Sequence, residues 1–181
     1  ADTVDHHRRR ARPQNRPTGI MGRGVTDVSQ ELLEGKLALV FGVANKNSIA
    51  WAIARAMDAA GARLGIVYQN ERLEERVQKL VPELRHEPLL LQCDVSFDDQ
   101  IEATFQRVAQ QWDRLDILVH SLAYAPRPAM EGAFIDTTRE DFQVALDISA
   151  YSLVGLARAA RPLMGNGGSI LTMTYYGSEK A

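Results

Sequence analysis

A single cysteine, Cys93, stands in 181 residues, so no disulfide can form within the chain, and the composition fits a reducing compartment. The 13 glycines and 7 prolines are too few for a collagen-like or low-complexity chain, and 45% hydrophobic residues are too many for a disordered one. No apolar run approaches the ~18 residues of a membrane span. Neither sign of charge dominates: 21 Lys and Arg face 23 Asp and Glu, for a net charge of -2. Without a general basic field no nucleic-acid partner is expected, and an anionic ligand must be held by a local device. The four histidines, His6, His7, His86 and His120, are too scattered to suggest a metal site.

What is present is one ordinary domain's worth of soluble, globular chain. The charge is uneven along it. Residues 1–24 hold six arginines against Asp2 and Asp5, with almost no apolar residues and no hydrophobic period, and read as a disordered basic extension. It forms no amphipathic pattern, and Met21 stands just before the patterned region, so an upstream extension is the reading rather than a targeting signal. The folded domain is expected over residues 30–181.

From Leu37 onward two kinds of segment alternate. Short apolar runs at Leu37 to Val43, Arg63 to Gln69, Leu89 to Val95, Asp116 to Leu122 and Ser169 to Tyr175 have the length and continuous hydrophobicity of strands covered on both faces. Helical patterns lie between them at Ser48 to Ala60, Glu71 to Val81, Phe97 to Trp112 and, as one long stretch, about Thr138 to Met164. The alternation predicts an α/β fold, a Rossmann-like doubly wound parallel sheet of five strands, whose ligands sit at the carboxyl ends of the strands.

The residues after each strand are therefore the candidates for chemistry. Gly42 to Ala50 (GVANKNSIA) forms a turn feeding a helix, where free N–H groups and the helix dipole suit a diphosphate. It is not a G-x-G-x-x-G turn, since only Gly42 is glycine; Ala44 and Ser48 fill small positions, and Ser48 is either a phosphate donor or a plain helix cap. At the second strand end Gln69 takes the place of the usual ribose-binding carboxylate. NADH is favoured because no arginine sits on that position, while Arg72 keeps NADPH open as the less favoured cofactor. At the third, Asp94 and Val95 offer an acceptor and an N–H for an adenine ring, with Asp94 as a helix cap the alternative. Cys93 reads as a small buried hydrophobe. At the fourth, Ser121, Ala123 and Ala125 let backbone pass close under a nicotinamide ribose; His120 reads as an imidazole satisfying a backbone group rather than an acid or base.

Taken together, GVANKNSIAWAIA, YQNE, CDV, HSLAYAP, DISAYS (Asp147 to Ser152) and ILTMTYYG (Ile170 to Gly177) resemble the bacterial enoyl-acyl-carrier-protein reductases of the FabI type, within the short-chain dehydrogenases. The resemblance covers nearly all of residues 30–181. It implies reduction by NADH of the 2,3 double bond of a trans-2-enoyl thioester on acyl carrier protein, a step of fatty-acid synthesis, by a cytoplasmic homotetramer. By motif match, Gly42, Ser48 and Ile49 resemble the diphosphate turn, Gln69 the second strand end, and Asp94 and Val95 the adenine contacts. Leu122 resembles the floor under the nicotinamide ribose, Ala125 a substrate-site residue, and Tyr175 the first of two active-site tyrosines.

The family's second tyrosine and its lysine, spaced Tyr-x6-Lys, are expected on a helix after this strand, and residue 181 precedes them. The expectation is therefore a C-terminally truncated member with little turnover and doubtful tetramer assembly, whose last strand offers an unpaired edge. Two other readings stay open: a short-chain dehydrogenase using Tyr176 and Lys180, though Gly177 makes that segment a poor helix, and a dinucleotide-binding module without chemistry. With NADH and a crotonyl thioester, residues 1–181 are expected to show almost no loss of reduced-cofactor absorbance; robust turnover contradicts the truncation reading.

Overall fold

In the computed structural model the described residues are 32–175; the basic extension over 1–24, and Tyr176 and Lys180, lie outside them. Five parallel strands, β1 (Leu37–Phe41), β2 (Arg63–Tyr68), β3 (Leu89–Gln92), β4 (Ile117–His120) and β5 (Ser169–Thr172), form one sheet in the order β3-β2-β1-β4-β5. β1 sits at its centre, with Val40 opposite Ile66 of β2 on one side and Val119 of β4 on the other.

Side chains alternate across a strand, so a strand buried on both faces must be apolar at every position. LALVF in β1 meets that demand. Leu37, Leu39 and Phe41 join Leu118 in a core closed by Ile101, Phe105 and Val108 of α3 (Asp98–Gln111) and Leu156 and Ala160 of α6 (Ser152–Ala160). Ala38 and Val40 face the other way, with Ile66 and Val119, onto Ala50, Trp51 and Ala54 of α1 (Ile49–Ala59) and Val77 of α2 (Glu71–Gln78). In α3 the buried residues recur at 101, 104, 105 and 108, the spacing of one helix face. α1 ends at Gly61, whose φ of +96° admits the left-handed turn. There the N–H groups of Ala62 and Gly61 return to the carbonyls of Met57 and Asp58 and satisfy the last turn.

Three expectations need correction. Each strand stops short of its apolar run because the chain turns out of the sheet first: β1 ends at Phe41, and Gly42 takes φ +100°. The long helix expected from Thr138 to Met164 is broken into α5 (Arg139–Leu146), a π turn at Asp147–Tyr151, α6 and a 3-10 turn at Arg161–Met164. One inserted residue leaves the apolar pattern readable as helix throughout, so periodicity alone does not reveal the break. β5 is exposed along its whole length, not covered on both faces, because α6 packs on α3 and β4. Among the described residues β5 pairs only with β4. A short helix, α4 (Arg127–Met130), lies between β4 and α5. Among the described residues no helix is long and apolar enough to cross a membrane.

At the amino end of the sheet Asp116 ties the central strands together. Its carboxylate accepts from the Leu37 N–H at 2.9 Å, from Lys36 at 3.3 Å and from Arg114 Nε at 3.2 Å. Its own N–H donates to the Leu37 carbonyl and its carbonyl accepts from Ser169. Burial alone would raise this carboxyl, but the Leu37 N–H and the charges of Lys36 and Arg114 outweigh it and hold it below its ordinary value. A carboxyl depressed on folding stabilises the fold above its unfolded value and loses that contribution as pH falls through the lower folded value. Asp116→Ala is expected to destabilise the fold by about 1–3 kcal/mol at pH 7. In thermal melts of both proteins the gap should narrow below about pH 4; a gap that widens in acid contradicts this assignment.

Candidate functional site

The sheet order reverses between β1 and β4: the chain leaves β1 over one face through α1 and reaches β4 from the other face through α3. The turns after the two strands diverge there and leave a crevice, the place where open α/β sheets bind ligands. It has a volume of about 330 Å³ and runs along the carboxyl ends of β3, β2, β1 and β4.

Gly42 opens it. A side chain at this position would collide with the Ser121 carbonyl, so the turns after β1 and β4 approach this closely only because the residue is glycine. The Ser48 hydroxyl does not cap α1; its oxygen accepts from the N–H groups of Ala44 at 3.1 Å and Asn45 at 3.0 Å, folding the turn onto itself. That disposes of the plain-cap alternative and leaves the hydroxyl proton free to donate outward. The first turn of α1 carries no acidic residue, whereas α2, α3 and α5 each carry two. The positive end of this helix is thus left open to an anion. Ile49 is exposed beside it.

At the other end Gln69 and Asp94 act as a pair. Gln69 Nε2 donates to Asp94 Oδ2 at 3.0 Å, the Ser96 N–H donates to Asp94 Oδ1 at 3.0 Å, and the Asp94 N–H donates to Gln100 Oε1 at 2.9 Å. Burial would raise the Asp94 carboxyl, but the Ser96 N–H and the Gln69 amide outweigh it and hold it below its ordinary value, so it is ionised at neutral pH. The cap of α3 is Phe97, without a side-chain bond, so Asp94 closes a turn on Ser96 and does not cap the helix. Val95 lies beside it in the crevice wall. Cys93 also reaches the wall, and burial pushes its thiol up from its ordinary value.

Leu122 lies in the wall between Ser121 and Ala123, and Tyr124 and Ile148 complete that end. Ser149 of the π turn accepts from the Tyr124 N–H and donates to the Tyr124 carbonyl, both at 3.0 Å, so this irregular turn is pinned to the loop after β4. Of the expected site residues, Gly42, Gln69, Asp94, Val95 and Leu122 share the crevice; Ser48 is bonded to the wall residue Ala44, and Ile49 follows it as the first residue of α1. Ala125 lies one residue past the wall, and Tyr175 is 86% exposed and outside it. His120 is fully buried and absent from the wall; two side chains, Thr172 and Ser152, bond its ring nitrogens. Leu73, Tyr124, Ile148 and Gln100 went unread, and only Tyr124, next to the small residues after β4, carried a signal by position.

A larger hollow of about 640 Å³ opens at the opposite, amino ends of β2 and β3, between Arg63, Arg85, His86 and Gln111. Size does not favour it, because neither the carboxyl end of a strand nor the amino end of a helix is among its lining residues. Among the described residues no group of histidine, cysteine or carboxylate side chains is arranged to hold a metal ion.

A family model for enoyl-(acyl carrier protein) reductase matches residues 42–181. The NADH-dependent enoyl-acyl-carrier-protein reductase FabI of Aquifex aeolicus is 47% identical over 150 residues, 82% of this chain and 55% of that protein. The crystal structure of the enoyl reductase of Anaplasma phagocytophilum in complex with NAD superposes with a TM-score of 0.79 at 41% identity, covering 83% of this chain and 57% of that one. That of Bacillus cereus, with NADP+ and an indole naphthyridinone, gives 0.80 at 45% identity over 83% and 59%. The chain thus spans a little over half the length of the relatives it matches. The sheet order, the crevice at the β1/β4 reversal and these matches agree, and the chain belongs to the enoyl-acyl-carrier-protein reductase family.

Proposed function

We propose that this chain holds NADH in the crevice between β1 and β4, as the cofactor-binding part of an enzyme that reduces the 2,3 double bond of a trans-2-enoyl group on acyl carrier protein in fatty-acid synthesis. The observation that carries the reading is the pairing of two unlike ends in one crevice. At one end is the acid-free amino terminus of α1 with its free Ser48 proton; at the other is the ionised Asp94 joined to Gln69.

The residues fit a dinucleotide. The Ser48 hydroxyl and the first N–H groups of α1 meet a diphosphate, with Gly42 allowing the close approach and Ile49 flanking it. Asp94 accepts from an adenine amino group, with the Val95 N–H for a ring nitrogen, and Gln69 donates or accepts at the ribose. The negative charge of Asp94, 3.0 Å from the Gln69 amide, disfavours a 2'-phosphate, which supports NADH over NADPH even with Arg72 nearby. Bound there, NADH supplies the hydride. Leu122 and its small neighbours then underlie the nicotinamide ribose, and Ala125 lines the substrate side through its backbone. Tyr175, exposed beyond the end of β5, is one of two active-site tyrosines in this reading, and a tyrosine hydroxyl set at the thioester oxygen meets the negative charge that grows as the β-carbon is reduced, the point at which a fixed donor lowers the barrier most. The reading extends to a cytoplasmic homotetramer, for which the exposed Phe142, Leu146, Tyr151 and Val154 along α5, the π turn and α6 offer apolar surface.

Titration of NADH fluorescence with the protein is expected to saturate, with NADPH binding about tenfold or more weakly. Ser48→Ala is expected to weaken NADH about tenfold or more, since a bond to a charged phosphate is lost. No saturable binding of either nucleotide contradicts the proposal. In the enzyme, Tyr175→Phe is expected to lower kcat about tenfold or more with little change in NADH affinity; an unchanged kcat removes Tyr175 from the chemistry.

A further inference from the structure

His120 is the last residue of β4, fully buried, and lies in register with Phe41 of β1 and Thr172 of β5. Its ring spans two elements that, among the described residues, share no other side-chain bond. Nδ1 is 2.9 Å from Thr172 Oγ1, and Nε2 is 2.8 Å from the buried Ser152 Oγ at the start of α6. Ser152 Oγ in turn donates to the Ile148 carbonyl at 2.7 Å, inside the π turn.

Hydrogen counting orders these bonds. A serine hydroxyl has one proton, and that of Ser152 goes to Ile148. The Ser152 oxygen must therefore accept from His120, which puts the imidazole proton on Nε2. Nδ1 is then the acceptor, and Thr172 donates to it. Burial pushes the imidazole down from its ordinary value, consistent with a neutral ring holding one proton. The result is a one-way chain from the Thr172 hydroxyl through the imidazole and the Ser152 hydroxyl to the Ile148 carbonyl.

Each end of this chain is tied to the candidate site. Ile148 lines the crevice wall, and its π turn is fixed to Tyr124 through Ser149. Thr172 ends β5 three residues before Tyr175, and the next residue, Met173, donates its N–H to the His120 carbonyl at 3.0 Å. The bonds thus tie the interruption in the helix to the strand leading to the tyrosine.

We propose that His120 is a positioning residue whose imidazole, bridging Thr172 to Ser152 and Ile148, couples the strand leading to Tyr175 to the π turn that forms the wall of the NADH crevice. The coupling to NADH rests on the reading of the crevice as an NADH site; the bridge itself does not. Neither Thr172 nor Ser152 lines the crevice; Ser152 reaches it directly through the Ile148 carbonyl, whereas the side-chain bonds connect Thr172 to it only through the ring. A merely structural role for each would give independent effects, whereas members of one bonded chain give effects that do not add.

The test is a double-variant cycle on NADH affinity, joined to a spectrum of the ring. Thr172→Val and Ser152→Ala are each expected to weaken NADH about three- to tenfold. The double variant should be no weaker than the weaker single one, and Thr172→Ser should restore wild-type affinity. Additive losses, or no loss in either, overturn the coupling. Long-range proton–nitrogen correlation spectra of the unmodified protein at pH 7 are expected to show His120 as the Nε2–H tautomer; the Nδ1–H tautomer or a doubly protonated ring overturns the bridge. Should the protein bind no NADH at all, the function reading fails with the coupling, and the ring spectrum still decides whether the bridge exists.

Discussion

Every residue of β1 is buried, and every one is paired with a neighbouring strand on at least one side, from Leu37 opposite Arg63 to Phe41 opposite both Val67 and His120. A strand in that position must be followed by a crossover on one face and flanked by a strand that arrives from the other. The crevice is the geometric remainder of those two demands. Chains leaving β1 and β4 have to part, and the space between them is walled by whatever follows each strand. Gly42 is the tightest point of that arrangement, since a single added methyl group would strike the Ser121 carbonyl and force the two turns away from each other.

The site then works by leaving local rules unfulfilled. A helix start ordinarily gathers acidic residues and a side-chain cap, and α2 has both, with Asn70 accepting from Leu73 and Glu71 and Glu74 in its first turn. α1 has neither, and its nearest hydroxyl is turned back to bind the loop before it. Ser48 thereby gives the turn its shape without spending the helix's positive end. At the Asp94 end the reverse holds: a carboxylate is surrounded by enough donors to stay charged in a half-buried setting, which in the proposed binding mode would let it discriminate by charge as well as by hydrogen bonding.

The strands and the ends that matter could be read from sequence because apolar runs of strand length and small residues after them are local signals. Gly42, Ala44, Gln69, Asp94, Val95, Ser121 and Ala123 of the crevice were legible in that way, and Leu122 through the family resemblance. The π turn was not, because an extra residue in a helix shifts the apolar face without ending it. The partners of His120 lie 32 and 52 residues away, and nothing in the run ILVH announces a serine and a threonine on either side of it. The exposure of β5 also escaped, since SILT has the same residue types as a covered strand. What was missed therefore depends on contacts across the chain, and what was seen depends on neighbours along it.

The central claim is that a dinucleotide lies across the β1/β4 reversal. Hydrogen–deuterium exchange with and without saturating NADH tests it most directly. The account predicts slowed exchange in the turns at 42–50, 94–96 and 121–124, with the loop from Arg85 to Leu89 at the amino ends of the strands unchanged. Protection confined to that opposite loop, or spread evenly over the sheet with none at 42–50, would contradict it.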